Sequence, residues 1–139
     1  MEPREIIILL AEDDPAVRNL VRLMLSKEGY SVLTANDGQE ALEICGKFKD
    51  PIHLLLTDVT MPGMNGLELA ESILKKRSEI KIMIMSGATG ETIPNENTPY
   101  AFLPKPFVSP TLVRCVQRLL TSSFKGNCYE SDLIKTSKT

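Results

Sequence analysis

The chain has 139 residues, 42% of them hydrophobic, with 16 basic and 18 acidic side chains giving a formal net charge of −2. That length suits one domain with a core that needs no metal or disulfide, and is too short for two ordinary domains. The near balance of charge offers no footprint for nucleic acid or an anionic membrane surface.

Residues 6–11 form a continuous apolar run, β-branched at its start, that ends abruptly in Glu12-Asp13-Asp14. It reads as a strand buried on both faces; it is too short to span a membrane and no small-residue cleavage site follows it. From Pro15 the period changes: Val17, Leu20, Val21 and Met24 share one face of a helix that Asp14 caps, Pro15 opens and Gly29 ends. Residues 30–35 are a second strand, and Asn36-Asp37-Gly38 turns into a helix carrying Ala41, Leu42, Cys45 and Phe48. Residues 52–57 are a third apolar run, again ended by an acid, Asp58. Asn65 caps a helix from Gly66 to about Arg77, with Leu67, Ala70, Ile73 and Leu74 inward. Strands follow at 81–85 and 100–103, and Ser109-Pro110 opens a last helix whose apolar side holds Leu112, Val113, Val116, Leu119 and Leu120.

This alternation predicts an α/β fold, a doubly wound parallel sheet of five strands with helices on both faces. The rhythm breaks at 87–99, which contains Gly90, Pro94, Asn95, Asn97 and Pro99, so the helix due there is expected to be short or missing. From Thr121 the chain is polar, and 124–139 is expected to be a tail, mobile or locally docked. Cys45, Cys115 and Cys128 are odd in number and far apart, so neither a disulfide framework nor a zinc site is expected, and a reduced cytoplasmic setting is the simplest reading. Cys115 reads as a small buried group, and His53, the one histidine, as a partly exposed strand residue without chemistry.

In doubly wound sheets, function gathers beyond the C-terminal strand ends. Glu12-Asp13-Asp14 and Asp58 lie at two such ends, Ser86-Gly87 at a third and Lys105-Pro106 at a fourth. Grouped carboxylates call for a compensating cation, and oxygen donors of this kind suit Mg²⁺. A carboxylate beside such an ion can attack phosphorus, so the inventory fits phosphoryl transfer to an aspartate.

Four blocks, Ile-Leu-Leu-Ala-Glu12-Asp13-Asp14, Leu-Leu-Leu-Thr-Asp58-Val-Thr-Met-Pro62-Gly63-Met-Asn-Gly66, Met-Ser86-Gly-Ala and Phe102-Leu-Pro-Lys105-Pro106-Phe, stand in order at strand ends. With them the chain resembles the receiver domains of two-component response regulators, chemotaxis-regulator-like, over about 5–123, which implies a receiver domain at 1–123. The resemblance implies the flavodoxin-like strand order 2-1-3-4-5, with Asp58 as phosphoacceptor. It implies a Mg²⁺ (or Mn²⁺) ion bound by Asp13, Asp58 and the Thr60 carbonyl directly, and by Glu12 through water. Ser86 and Lys105 would bind the transferred group, Phe102 would act with Ser86 as a switch, and Pro62 and Gly66 would shape the turn after the acceptor. Lys105-Pro106 would be a cis bond, and Ala88, unable to position water, implies slow loss of the phosphoryl group. The implied partner is a sensor histidine kinase or phosphotransfer protein, with receiver dimerisation possible; no nucleic acid or membrane is expected. The implied protein is a signalling phosphoacceptor rather than an enzyme. The competing reading is a pseudo-receiver, an interaction module of the same fold independent of phosphate. A flavin protein is disfavoured by the acids after the first strand, and an aspartyl-phosphate phosphatase by Thr60, where such enzymes carry a second Asp.

Overall fold

The computed structural model describes residues 5–86, 100–105, 107–122 and 126–127. Along the chain run β1 (Ile7–Ala11), α1 (Pro15–Ser26), β2 (Ser31–Ala35), α2 (Gly38–Lys47), β3 (Leu54–Asp58) and α3 (Gly66–Lys76). Then come β4 (Lys81–Ser86), β5 (Ala101–Pro104), α4 (Ser109–Ser122) and β6 (Gly126–Asn127). The strands form one parallel sheet in the order β2-β1-β3-β4-β5-β6, so the predicted five-strand order is present with one short strand added at its edge. The expected short or missing helix at 87–99, Ala88, Pro106 and most of the tail lie outside the described residues.

The helix ends form where local chemistry places them. Asp14 accepts the N–H groups of Ala16 and Val17, and Pro15, lacking an N–H, occupies the first turn. Asp37 accepts the Glu40 N–H, and Asn65 with Glu68 forms a reciprocal capping box at α3. β1 and β3 are buried on both faces, as continuous apolar runs require, while β2 is half-buried, and the pleat sends alternate residues to opposite layers. Leu9, Leu55, Ile84 and Phe102 face the layer of α2 and α3, with Ala41, Leu69 and Ile73. Ile8, Leu10, Leu54, Leu56, Met83, Ala101 and Leu103 face α1 and α4, with Val21, Leu25, Leu112 and Val116.

One expectation needs correction. Cys115 is fully buried on α4 but disulfide-bonded, and Cys45 is free and buried. Spacing along the chain does not fix which thiols fold within bonding reach of one another. His53 is partly exposed, as expected, and is held in place: its Nδ1 accepts the Ile7 N–H at 3.0 Å and its backbone joins Ile7 and Lys81.

Arg77, predicted only as a helix end, fastens α3 to the end of α2. Its guanidinium donates to the carbonyls of Cys45 (2.9 Å), Phe48 (2.6 Å) and Asp50 (3.0 Å). The Cys45 carbonyl lies in the last turn of α2, where the helix cannot satisfy it, those of Phe48 and Asp50 lie just past its end, and the planar fork serves all three. Arg77→Ala is expected to cost about 2 kcal/mol, and Arg77→Lys to recover little of it, in urea unfolding followed by circular dichroism.

Candidate functional site

The pleat that sorts the core also assembles the site. Glu12 continues the parity of Ile8 and Leu10, Asp58 that of Leu54 and Leu56, and Lys105 that of Ala101 and Leu103. All three therefore reach the C-terminal rim on the α1/α4 side, although they come from three elements. β1 pairs with both β2 and β3, so the chain reverses direction across the sheet there, the crevice position of this architecture.

Lys105 Nζ donates to Asp58 Oδ2 at 2.9 Å and to Glu12 Oε1 at 3.2 Å, one ammonium joining two buried acids. Glu12 Oε2 accepts the Asp14 N–H at 3.1 Å, which fixes the carboxylate across the strand end. Burial raises the Glu12 pKa above its ordinary value, helped by the negative charge of Asp58; the Asp14 N–H and Lys105 pull the other way. Burial lowers that of Lys105, but hydrogen bonding and charge from Asp58, then Glu12, outweigh it and the pKa is raised. Lys105 therefore remains charged.

Glu12, Asp13 and Asp58 each offer a carboxylate oxygen, and these oxygens lie within 4.8 Å of one another. Such a set, all hard oxygen donors, fits a small divalent cation that keeps waters in its shell. Asp13 is exposed and the other two are buried, so a cation would be approached from solvent on the Asp13 side.

The backbone beneath Asp58 is tightly held. The Gly66 N–H donates to the Val59 carbonyl at 2.8 Å, and a Cβ at Gly66 would lie 2.0 Å from the Asp58 carbonyl oxygen. Thr57 Oγ1 donates to that same oxygen at 3.0 Å, and Gly63 takes φ +79° in the turn between. Thr60 is exposed on this loop, and Met61 is buried.

Ser86 and Phe102 are both buried, 1% and 2% exposed, and share the pleat parity of the α2/α3 side, opposite the acids. The Lys105 N–H donates to the Ser86 carbonyl at 2.7 Å, so the backbone ends of β4 and β5 meet beside the ammonium. The structure thus brings together Glu12, Asp13, Asp58 and Lys105, with Ser86 at the adjoining strand end. One participant was missed: Arg18 on α1 donates to the Glu12 carbonyl at 2.8 Å and anchors the acidic turn. Its position four residues past the capping Asp14 was the available signal, but an exposed helix face reads the same way.

Lys105 already supplies a positive charge where a divalent ion would lie. Lys105→Ala is therefore expected to tighten Mg²⁺ binding about tenfold by calorimetry, because like charges ~4 Å apart repel by ~1–4 kcal/mol in this range of dielectric.

Residues 8–117 match the response regulator receiver domain family, and the chain belongs to it. It is 37% identical over 117 residues to response regulator RR06 of Streptococcus pneumoniae, covering 81% of this chain and 52% of that protein. It is 35% identical over 119 residues to the response regulator receiver protein CpdR of Brucella abortus, covering 84% and 98%. The chain spans about half or less of the length of RR06 and of the transcriptional regulatory protein AruR of Pseudomonas aeruginosa. Among solved structures, the Vibrio cholerae chemotaxis protein CheY4 superposes with a TM-score of 0.73 at 28% identity, covering 83% of this chain and 98% of that one. The receiver domain of the hybrid histidine kinase CckA gives 0.65 at 35%, covering 83% and 99%. Among the described residues, no helix is long and apolar enough to cross a membrane.

Proposed function

We propose that the chain is a working phosphoacceptor of a two-component phosphorelay, with Asp58 receiving the phosphoryl group from a sensor histidine kinase or phosphotransfer protein. The observation that carries this is the Asp58 carboxylate, bound by Lys105 and grouped with Glu12 and Asp13 at the strand ends. An Asp58 oxygen attacks phosphorus and the donor's phosphorus–nitrogen bond breaks; the imidazole keeps the bonding pair. Asp13, Asp58 and the Thr60 carbonyl would hold Mg²⁺ (or Mn²⁺) directly and Glu12 through water. The ion would neutralise charge on the transferring oxygens. Lys105 meets one phosphoryl oxygen and Ser86 another, and Phe102 repacks with Ser86 as the switch. The receiver spans 1–123 and the tail 124–139, in a cytoplasmic protein that loses its phosphoryl group slowly and signals through its surface, dimerisation included. It acts as a signalling phosphoacceptor rather than a turnover enzyme.

Incubation with Mg²⁺ and acetyl phosphate, followed by intact mass measurement, tests this. One phosphoryl adduct is expected, lost when a chelator is present. An unmodified mass at saturating Mg²⁺ would leave the phosphate-independent interaction module as the reading.

A further inference from the structure

We propose that Arg18 is a positioning residue for the acidic site: by holding the Glu12 carbonyl it fixes the peptide that carries Asp13, and so sets the affinity of the site for its divalent cation. The proposal rests on the phosphoacceptor reading only in taking Mg²⁺ as that cation. Glu12 and Asp58 are buried and fastened by Lys105. Asp13 is exposed, and its carboxylate makes no hydrogen bond or ion pair among the described residues. Where its oxygen stands is therefore decided by the backbone on either side.

That backbone is held at both ends. The Glu12 N–H donates to the Ala35 carbonyl at 3.1 Å, which continues the β1–β2 pairing by one residue. Asp14 precedes a proline, which favours extended backbone, and it stands at φ −79° and ψ 115° with its side chain capping α1. Two peptide units lie between, one before Asp13 and one after it. The unit after it places the Asp14 N–H on Glu12 Oε2 at 3.1 Å; the unit before it places the Glu12 carbonyl under Arg18 Nη1 at 2.8 Å. The Glu12 carboxylate is one of the three grouped for a cation, so the restraint it gives depends on the ion. A guanidinium has no lone pair for a metal, and the restraint from Arg18 is independent of it.

Helical side chains lean toward the N-terminus, which lets Arg18, in the first turn of α1, reach back over the acidic turn. Its charge has the wrong sign to attract a cation, and this separates positioning from electrostatics. Lys105 bonds two of the grouped carboxylates themselves; Arg18 bonds a neutral carbonyl and leaves every carboxylate oxygen available. Losing the charge of Arg18 alone would tighten Mg²⁺ binding, whereas losing its hydrogen bond weakens it, because Asp13 then samples orientations away from Glu12 and Asp58. Groups that orient metal ligands from behind change metal affinity by about 10–100-fold, and a charge at a solvated rim is partly screened, so the hydrogen bond prevails.

Mg²⁺ titration of the full chain by calorimetry, with no phosphodonor, tests this. Arg18→Ala is expected to raise the Mg²⁺ Kd about tenfold, and Arg18→Lys, which keeps the charge and one donor, about threefold. Arg22→Ala removes the next cation along α1, which is bonded to Asn19 at 2.7 Å, and should leave the Kd unchanged. In hydrogen exchange without Mg²⁺, a peptide containing Asp13 and Asp14 should exchange faster in Arg18→Ala, while peptides of α3 keep wild-type rates. An arginine that served only stability would lower the urea midpoint and leave the Kd of the folded protein alone. A Kd in Arg18→Ala equal to or below that of the wild type would overturn the proposal and leave the metal site standing; if that variant folds poorly, the same outcome in Arg18→Lys overturns it. A wild-type chain that binds no Mg²⁺ would overturn both the proposal and the metal site on which it rests.

Discussion

Asp58→Asn is expected to remove the Mg²⁺-dependent phosphate adduct down to background, while the protein remains folded. The amide keeps the shape of the carboxylate but is a poor nucleophile, and it withdraws one of the three oxygens grouped for a cation. Its effect on the fold is limited, because the backbone at this position is held by the β3–β4 ladder, by Thr57 and by Gly66 rather than by the side chain. Intact mass measurement after acetyl phosphate treatment reads the chemistry, and urea unfolding reads the fold. An adduct of wild-type yield on the Asn variant would place the phosphoryl group elsewhere and end the assignment of Asp58.

Gly66→Ala is expected to be the most damaging single-methyl change near the site, costing on the order of 2–4 kcal/mol. An added Cβ would sit 2.0 Å from the Asp58 carbonyl oxygen and 2.9 Å from its carbon, and both are backbone atoms with no side-chain freedom to yield. Either α3 backs away, breaking the Gly66–Val59 hydrogen bond, or the end of β3 bends and carries Asp58 out of reach of Lys105. Both outcomes lower the urea midpoint, and the second also lowers the yield of phosphate adduct more than stability alone explains. Gly46, on the exposed side of α2, has nothing within 4 Å of an added Cβ; Gly46→Ala should be neutral or mildly stabilising and serves as the control.

Much of this was legible in the sequence because it depends on short-range periodicity. Apolar runs that end in acids, 3.6-residue stripes opened by Asp14, Asp37 or Asn65, and the βαβ rhythm all produced elements where they were expected. Strand boundaries moved by one or two residues: β3 runs to Asp58 itself and β5 to Pro104, since ladder pairing, not hydrophobicity, sets the last strand residue. Glu12, Asp58 and Lys105 could be nominated individually from strand ends and by resemblance.

What the sequence by itself determined is which residues form strands and helices and which side of each is apolar, because those follow from local stereochemistry and the period of burial. Only the tertiary structure decided that an ammonium 93 residues away joins Glu12 and that Arg77 fastens two helix ends. It also decided that Gly66 packs against the carbonyl of Asp58, and that a short β6 pairs along the outer edge of β5. All but the Gly66–Asp58 contact join segments distant in the chain. No local pattern encodes them; sheet order and pleat parity do, and those exist only once the strands have paired. The modest net charge belongs to the first kind of knowledge, and the grouping of acids around one half-buried lysine to the second.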